Sequence, residues 1–395
     1  MMKTGFRMNE DIRINSMPVK GNILTINTGS ISSKFAYFRD GVRVCEGKTD
    51  HPVDEIARME TFKDQLPMRH DAAIKFLLDN HVPCEEVDVI MARGGLFTPV
   101  VTGIYGVNAD MREVLMSGRD GKHACNLSAV IADDLASEVN EARAAKGVKG
   151  PFGDCRAYVA DPPMADEMLP ECRVGGIPEF RRETLFHALN SRAIVRRYLA
   201  ETGRKAEDTT VIVCHMGGGV TVSLHRAARV IDTSHGLGGD GPITPERAGC
   251  CPPFQLVEMC FSGKYTEAQI KRKLVGEGGA VAYFGTNDMI LVEEKAVEGV
   301  PEYKLFMDAF CLNIAKYIAA ESATACGRID AILFTGGIAH SKYVTGEIIR
   351  RVSHIAPVIK IYPGEDELRS LAENGYMVLS GAKVRTYDKD RLLED

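Results

Sequence analysis

The residues of this chain best suited to chemistry on an anion are two arginines that each stand near glycine. Arg93 follows the short strand expected at 88–91 and precedes Gly94 and Gly95, and Arg247 lies in Pro245-Glu246-Arg247-Ala248-Gly249. A guanidinium at the C-terminal end of a strand, followed by glycine, is where α/β folds place ligand contacts, although a surface arginine beside a loop leaves the same local trace. Two polar glycine turns accompany them. Asn27-Thr28-Gly29-Ser30 follows the run 23–26, and His215-Met216-Gly217-Gly218-Gly219 follows a run that begins at Val211. Such turns expose backbone N–H groups able to cradle phosphate. Gly336 and Gly337 close the run 331–335, a geometry that suits packing against a nucleotide's ribose and α-phosphate. Asp161, just before Pro162-Pro163, can accept Mg2+ or orient a catalytic group, or it can simply cap a turn. His187 reads equally well as a catalytic or a structural histidine.

Several chemistries are excluded. No P-loop, no H-R-D or D-F-G, no dinucleotide fingerprint after the first strand and no G-x-S-x-G elbow occurs, so the common kinase, dehydrogenase and hydrolase solutions are absent. Histidines and cysteines are dispersed without zinc-site spacing. What remains is the equipment of phosphoryl transfer, whose catalysis is mostly positioning and charge neutralisation.

The elements that must position these groups repeat. Runs 23–26, 35–38 and one from Val42 are joined by the glycine turn and by Asp40-Gly41, which reads as a hairpin. The stretch 211–231 has the same plan, with Asn27 matching His215 and Gly29 matching Gly217. Two such units imply a duplicated α/β domain, with a polyphosphate expected between the glycine turns. Further strands are expected at 88–91, 156–160, 331–335 and, as the last one, 354–362. Helices are expected over 126–145, 178–199 (with Pro178 at its start), 254–275, 302–326 and 368–378. Residues 232–249 form the longest stretch without periodicity, and such loops tend to be functional. Residues 1–21 read as a tail, with Met8 and Met17 as alternative starts, and 384–395 as a charged tail.

At 395 residues the chain is long enough for two domains. Apolar residues at 45% and charged ones at 26% are ordinary for a soluble globular protein. A net charge of −6 argues against a general nucleic-acid binder. No run is long enough to span a bilayer, and eleven cysteines without pairing pattern point to reduced thiols in a cytoplasmic protein.

Taken in order, eight stretches resemble the acetate and butyrate kinase family. They are Asn27 to Ser30 with Lys34; Ala92-Arg93-Gly94-Gly95; Gly121-Lys122-His123-Ala124; Phe186-His187-Ala188-Leu189-Asn190; His215 to Gly219; Gly239-Asp240-Gly241-Pro242 through Gly249; Phe334 to His340; and Pro363-Gly364-Glu365-Asp366-Glu367. The His-Met-Gly-Gly-Gly and Gly-Asp-Gly-Pro forms resemble its butyrate kinase branch. The resemblance implies two ribonuclease-H-like domains of the actin, sugar kinase and Hsp70 superfamily, one over 22–165 with 368–395 and a second, nucleotide-binding, over 166–367.

The same resemblance implies reversible, Mg2+-dependent phosphoryl transfer between ATP/ADP and a short-chain carboxylate. The product is an acyl phosphate, butyryl phosphate where the acid is butyrate. Branched acids such as isobutyrate, or another reaction of the same superfamily, are the alternatives. A homodimer is implied, with no nucleic acid and no membrane as partner. By resemblance Arg93 and Arg247 bind the carboxylate and the transferring phosphoryl group, His187 stabilises that group, and His123 lies near the acyl phosphate. Asp161 orients the acid or a Mg2+-bound water, and Glu365 helps to hold Mg2+. Asn27, Ser30, Lys34, His215, Gly217, Gly218 and Gly219 face the phosphates, and Gly336 and Gly337 the nucleotide. Gly94 and Gly95 are expected to leave room for an acyl tail longer than acetate's. Thr28, where proline is frequent in the family, Ile31-Ser32-Ser33 and the segment 234–238 depart from its usual text.

Overall fold

The computed structural model describes residues 12–14, 17–238 and 240–390. The expected N-terminal tail as far as position 11 and at 15–16, Gly239 of the Gly-Asp-Gly-Pro motif, and positions 391–395 of the expected C-terminal tail lie outside them. Two compact units make up the chain: residues as far as Met164 with those from Asp366, and Ala165–Glu365.

The first unit begins with a two-stranded ribbon, β1 (Arg13–Ile14) and β2 (Met17–Pro18). Its seven-stranded sheet starts with three antiparallel strands, β3 (Asn22–Thr28), β4 (Ser32–Arg39) and β5 (Val42–Asp50). Helices α1 (Val53–Ile56) and α2 (Leu66–Asp79) lead to β6 (Val89–Arg93), parallel to β3. Then come β7 (Ile104–Gly106), α3 (Ala109–Ser117), α4 (Leu127–Lys146) and β8 (Arg156–Ala160), the last parallel to β6.

The second unit contains α5 (Ala188–Thr202), then the antiparallel β9 (Thr210–Met216), β10 (Val220–Arg226) and β11 (Arg229–Thr233). Helices α6 (Pro253–Phe261), α7 (Glu267–Leu274), α8 (Gly279–Phe284), α9 (Met289–Val297) and α10 (Pro301–Thr324) follow. The parallel pair β12 (Ala331–Gly336) and β13 (Val358–Pro363) flanks α11 (Lys342–Val352), and β12 also runs parallel to β9. The chain then re-enters the first unit as α12 (Glu367–Leu379) and β14 (Val384–Thr386), an edge strand on β7.

The two sheets share one plan. Order β5-β4-β3-β6-β8 in the first matches β11-β10-β9-β12-β13 in the second, with the same parallel and antiparallel sense. Both central strands are buried almost end to end, as expected for sheets covered on both faces. In the first unit α4 and α12 both pack on β3. In the second α5 and α10 both pack on β9.

Four expectations need correction. The helix expected over 254–275 is two, α6 and α7, with the non-helical residues 262–266 between them. Residues 178–187 are not helical; α5 starts at Ala188 with His187 as its cap. The buried half of Arg182 explains the difference, because its guanidinium is held by Asp240, Asp232 and the carbonyls of Cys172 and Thr233. Those bonds fix an extended segment that helical periodicity cannot foresee. The last strand is β14 rather than β13, and Tyr387 beyond it is buried where a charged tail was expected. Residues 12–21 are likewise no loose tail among the described positions: Ile12 and Val19 are buried, and Ile12 N–H donates to Gly41 O at 3.1 Å. All eleven cysteines are free. No helix among the described residues is long and apolar enough to cross a membrane.

Candidate functional site

The first unit gathers its polar residues at the C-terminal ends of β3 and β6. Lys34 lies opposite Asn27 across the β3–β4 ladder, and Ala92 lies opposite Ile26, which brings Arg93 level with Asn27. Directly paired residues share a face of the sheet, so one row carries Lys34, Asn27 and Arg93. The first turn of α12 closes on that row. Asn27 Nδ2 donates to Glu367, whose carboxylate stands 3.6 Å from Arg93 Nη1, and Arg93 Nη1 is 3.4 Å from Asn27 Oδ1. Lys34 is exposed and makes no side-chain hydrogen bond or ion pair among the described residues.

The turn after β3 is anchored from behind. Thr28 N–H donates to Ser128 Oγ at 3.1 Å and its hydroxyl donates to Ala124 O at 2.8 Å. A proline would lack that N–H, so threonine here ties the turn to the start of α4. Ser30 Oγ meets His123 Nε2 at 3.1 Å, while His123 Nδ1 accepts from Cys125 N–H. The second bond leaves the ring proton on Nε2, facing Ser30. Burial, followed by Arg93 and Arg69, holds the imidazole below its ordinary range and therefore neutral near pH 7.

Asp161 is buried with φ +41°, in the left-handed region that non-glycine residues rarely occupy. Its Oδ1 accepts from Gly103 N–H at 3.0 Å, and its own N–H donates to Gly103 O at 2.9 Å. The carboxylate thus braces the end of β8. Gly94 and Gly95 do not open a pocket. A Cβ on Gly94 would meet Pro162 Cβ at 2.7 Å, and one on Gly95 would meet Leu115 Cδ2 at 2.5 Å and Asn126 Cα at 2.7 Å. The expected room for a longer acyl tail is filled by protein, and these glycines serve close packing.

The second unit repeats the row with other chemistry. His215 is flanked in its row by Thr221 of β10 on one side and Thr335 of β12 on the other. The N-terminal end of α5 closes on it much as α12 does in the first unit. His215 Nδ1 pairs with Asn190 Oδ1 at 3.0 Å, so this nitrogen carries the proton. His187 Nδ1 meets Thr221 Oγ1 at 2.9 Å, and the rings of His187 and His215 stack 3.7 Å apart at 10°. Glu365 Oε2 lies 3.5 Å from His215 Nε2.

Arg247 covers the glycine turn. Its guanidinium is so close to Gly219 that a Cβ there would overlap Nη1 and lie 2.9 Å from Cζ. The guanidinium makes one hydrogen bond among the described residues, Nη1 to Gly236 O at 2.6 Å, and its buried Nε has no partner. Desolvation depresses its pKa, yet an arginine remains charged. With one carbonyl and no carboxylate as partner among the described residues, the half-buried guanidinium keeps donors to spare. Gly217 N–H donates to Gly219 O at 2.9 Å, whereas a Cβ on Gly218 would meet open space.

Gly336, at φ +86°, and Gly364 exchange two backbone hydrogen bonds of 3.1 and 2.9 Å. A Cβ on Gly336 would overlap Met216 O, so only glycine lets β12 close on the end of β9. Gly337 is open.

Two partners left little trace in the sequence. Glu367 was one of three adjacent acids, and its contacts with Asn27 and Arg93 single it out; Asp366 caps α12 and pairs with Arg43. Arg69 lies on α2, whose apolar and polar spacing is that of an ordinary amphipathic helix. No group of three or more His, Cys, Asp or Glu side chains that could hold a metal occurs among the described residues.

These two polar rows, each at the end of a central strand and each closed by a helix N-terminus, define a duplicated α/β protein. The acetokinase family model matches residues 180–380. A protein of Phocaeicola vulgatus named probable butyrate kinase is 42% identical over 359 residues, covering 91% of this chain and 97% of that protein. Butyrate kinase 2 of Clostridium acetobutylicum is 42% identical over 363 residues, covering 92% and 98%. The chain belongs to the acetokinase family, and these relatives place it beside the butyrate kinases. The fold agrees: the acetate kinase of Porphyromonas gingivalis superposes with a TM-score of 0.72 at 17% identity, covering 91% of this chain and all of that one. A propionate kinase from Francisella tularensis gives 0.69 at 19% identity, covering 90% and 98%.

Proposed function

We propose that the protein is a short-chain carboxylate kinase that interconverts butyrate plus ATP with butyryl phosphate plus ADP. Arg247, a desolvated guanidinium over the Gly217–Gly219 turn with a single hydrogen bond among the described residues, is the observation that most supports a phosphoryl-transfer role.

The chemistry asks little of the protein beyond placement. A carboxylate is ionised at pH 7, so one of its oxygens attacks the γ-phosphorus directly. The new O–P bond forms as the bond to the ADP oxygen breaks, and no general base is needed. Arg93 and Arg247 neutralise the carboxylate and the equatorial phosphoryl oxygens with charge-assisted hydrogen bonds. His187, steadied by Thr221 and the His215 ring, donates to the same group. His123 presents Nε2–H beside Ser30 and the acyl phosphate. Asn27, Ser30, Lys34, His215 and Gly217 to Gly219 face phosphates, and Gly336 and Gly337 approach the nucleotide.

ATP/ADP and Mg2+ are the cofactors implied by the family. Mg2+ favours one or two carboxylates together with phosphate oxygens and water over an all-protein cage, so dispersed acids fit it. Asp161 and Glu365 remain the proposed holders, and Glu367, beside Asn27 and Arg93, is the carboxylate the first unit adds. When bound, the ion spreads the phosphate charge.

We further propose that both units are ribonuclease-H-like domains of the actin, sugar kinase and Hsp70 superfamily. The protein would act as a cytoplasmic homodimer without nucleic-acid or membrane partners. The deciding experiment supplies ATP, Mg2+ and straight or branched acids of two to six carbons, and traps acyl phosphate with hydroxylamine. The expected optimum is butyrate. A higher kcat/KM for isobutyrate or isovalerate would shift the assignment to branched acids, and no product with any acid would remove the kinase reading.

A further inference from the structure

Behind the glycine turn of the first unit lies a buried arginine without a counter-charge. Arg69, on α2, is 0% exposed. All five of its N–H groups are used. Nε and Nη2 grip Gln65 Oε1 at 3.0 and 2.8 Å, Nη2 also donates to Ser30 O at 2.8 Å, and Nη1 donates to Ser32 O at 3.1 Å and Ser33 Oγ at 3.2 Å. No carboxylate pairs with it among the described residues. Burial alone lowers its pKa, to about 10, so it stays charged at neutral pH.

Such an arrangement is costly as a purely structural device, since an unpaired buried charge destabilises a fold by several kcal/mol on the order of magnitude seen when ion pairs are broken. A glutamate at position 65 would keep the same forked contact and supply the missing charge. Glutamine keeps the fork and leaves the charge whole. The neighbours do not cancel it either. His51, on Ser33 Oγ at 2.8 Å, and His123, on Ser30 Oγ, are both held neutral, by burial first and with Arg69 among the further causes.

The geometry also turns the peptide dipoles of the loop. Arg69 draws the carbonyls of Ser30 and Ser32 toward itself. Because a trans peptide sets its N–H opposite its carbonyl, the Ile31 N–H must point away from the guanidinium.

We propose that Arg69 is the positioning residue of the 27–33 turn, fixing its backbone through Ser30, Ser32 and Ser33 and lending it a positive charge, left uncompensated by Gln65, that selects a multiply charged phosphate group. The proposal rests on the reading that this turn faces phosphates, and its test separates the two.

The variant is Gln65→Glu, which preserves the fork and cancels the charge; its counterpart, Gln65→Met, loses the fork and keeps the charge. Calorimetric titrations with ATP, ADP, inorganic phosphate and adenosine are the readout, with thermal unfolding as the check on folding. Opposing a unit charge several ångströms from the ligand at an effective dielectric near 20 predicts ATP and ADP binding roughly 10- to 100-fold weaker in Gln65→Glu. Adenosine affinity and melting temperature should not fall. Gln65→Met should bind ATP within about threefold of wild type by the same reckoning. Folded Gln65→Glu that binds ATP as tightly as wild type, or loses adenosine in equal measure, would overturn the proposal. Wild-type protein that binds ATP yet phosphorylates no acid would instead remove the kinase reading and leave the role of Arg69 standing.

Discussion

The close approach of Gly219 to Arg247 permits a one-methyl test of the proposed transfer site. In Gly219→Ala the new Cβ would overlap Arg247 Nη1 and lie 2.9 Å from Cζ. The backbone at Gly219 is not in the left-handed region, and the obstacle is the far end of a flexible side chain, so the fold should survive. The guanidinium must swing aside by about 1 Å, a misplacement that can lower turnover about 100-fold when it falls on a charge-stabilising group. That corresponds to about 2.7 kcal/mol of lost transition-state stabilisation. It would also break or lengthen the 2.6 Å bond from Nη1 to Gly236 O, the one hydrogen bond holding the group among the described residues. The assay is kcat/KM for butyrate with saturating ATP and Mg2+, read as hydroxylamine-trapped acyl phosphate, beside the melting temperature. A normal melting temperature with an activity loss of that order supports the role given to Arg247. Activity within about threefold of wild type in a folded Gly219→Ala protein would refute it.

Other variants probe charge and packing. Arg93→Ala should reduce turnover by about 100- to 1,000-fold with the fold intact; a near-normal rate in the trapping assay would show that its assigned role is wrong. Gly95→Ala should destabilise the protein by about 1–3 kcal/mol through overpacking against Leu115 and Asn126; a chain-length profile shifted toward acetate at unchanged stability would instead restore the acyl-pocket reading. His225 is buried, and desolvation, with Arg192 second, lowers its pKa from 6.5 to about 3. The unfolded chain therefore binds the extra proton first as pH falls, so this stabilisation is full above pH 6.5 and is lost downward at about 1.4 kcal/mol per pH unit. Denaturant titrations between pH 7 and 4 should show a shallower slope in His225→Gln, and an unchanged slope would contradict the assignment. Glu321 has the opposite sign: burial first, then Asp232, raises its carboxyl well above the usual range. Stability is then lost as pH rises above the unfolded carboxylate range, and Glu321→Gln should gain melting temperature over wild type at pH 8 more than at pH 5. An equal gain at both would mean that ionisation is not the cause.

The duplication was legible because it is written in local chemistry. Turn residues and apolar runs recur at 22–44 and 211–231, and the structure adds that the sheets built on them share strand order and sense. Strand ends were legible for the same reason, since glycine and arginine punctuate them. The contacts that give those ends their function were not, because they arise between distant segments. Asn27 meets Glu367 across 340 positions, and His215 meets Asn190 and the His187 ring only once α5 has docked on β9. Helical periodicity misread 178–187, where a buried arginine network outweighs local propensity. Gly94 and Gly95 misled in the opposite direction: an absent side chain can mean space or close packing, and only the neighbours decide between them. Arg69 extends the point. A basic residue at a helical spacing reads as a solvated face, and nothing local reports that Gln65, rather than a carboxylate, will be its partner. Charge left uncompensated in a core is therefore a property of the fold, visible only after every neighbour has been counted, and for a phosphate-handling protein it marks a place where stability has yielded to function.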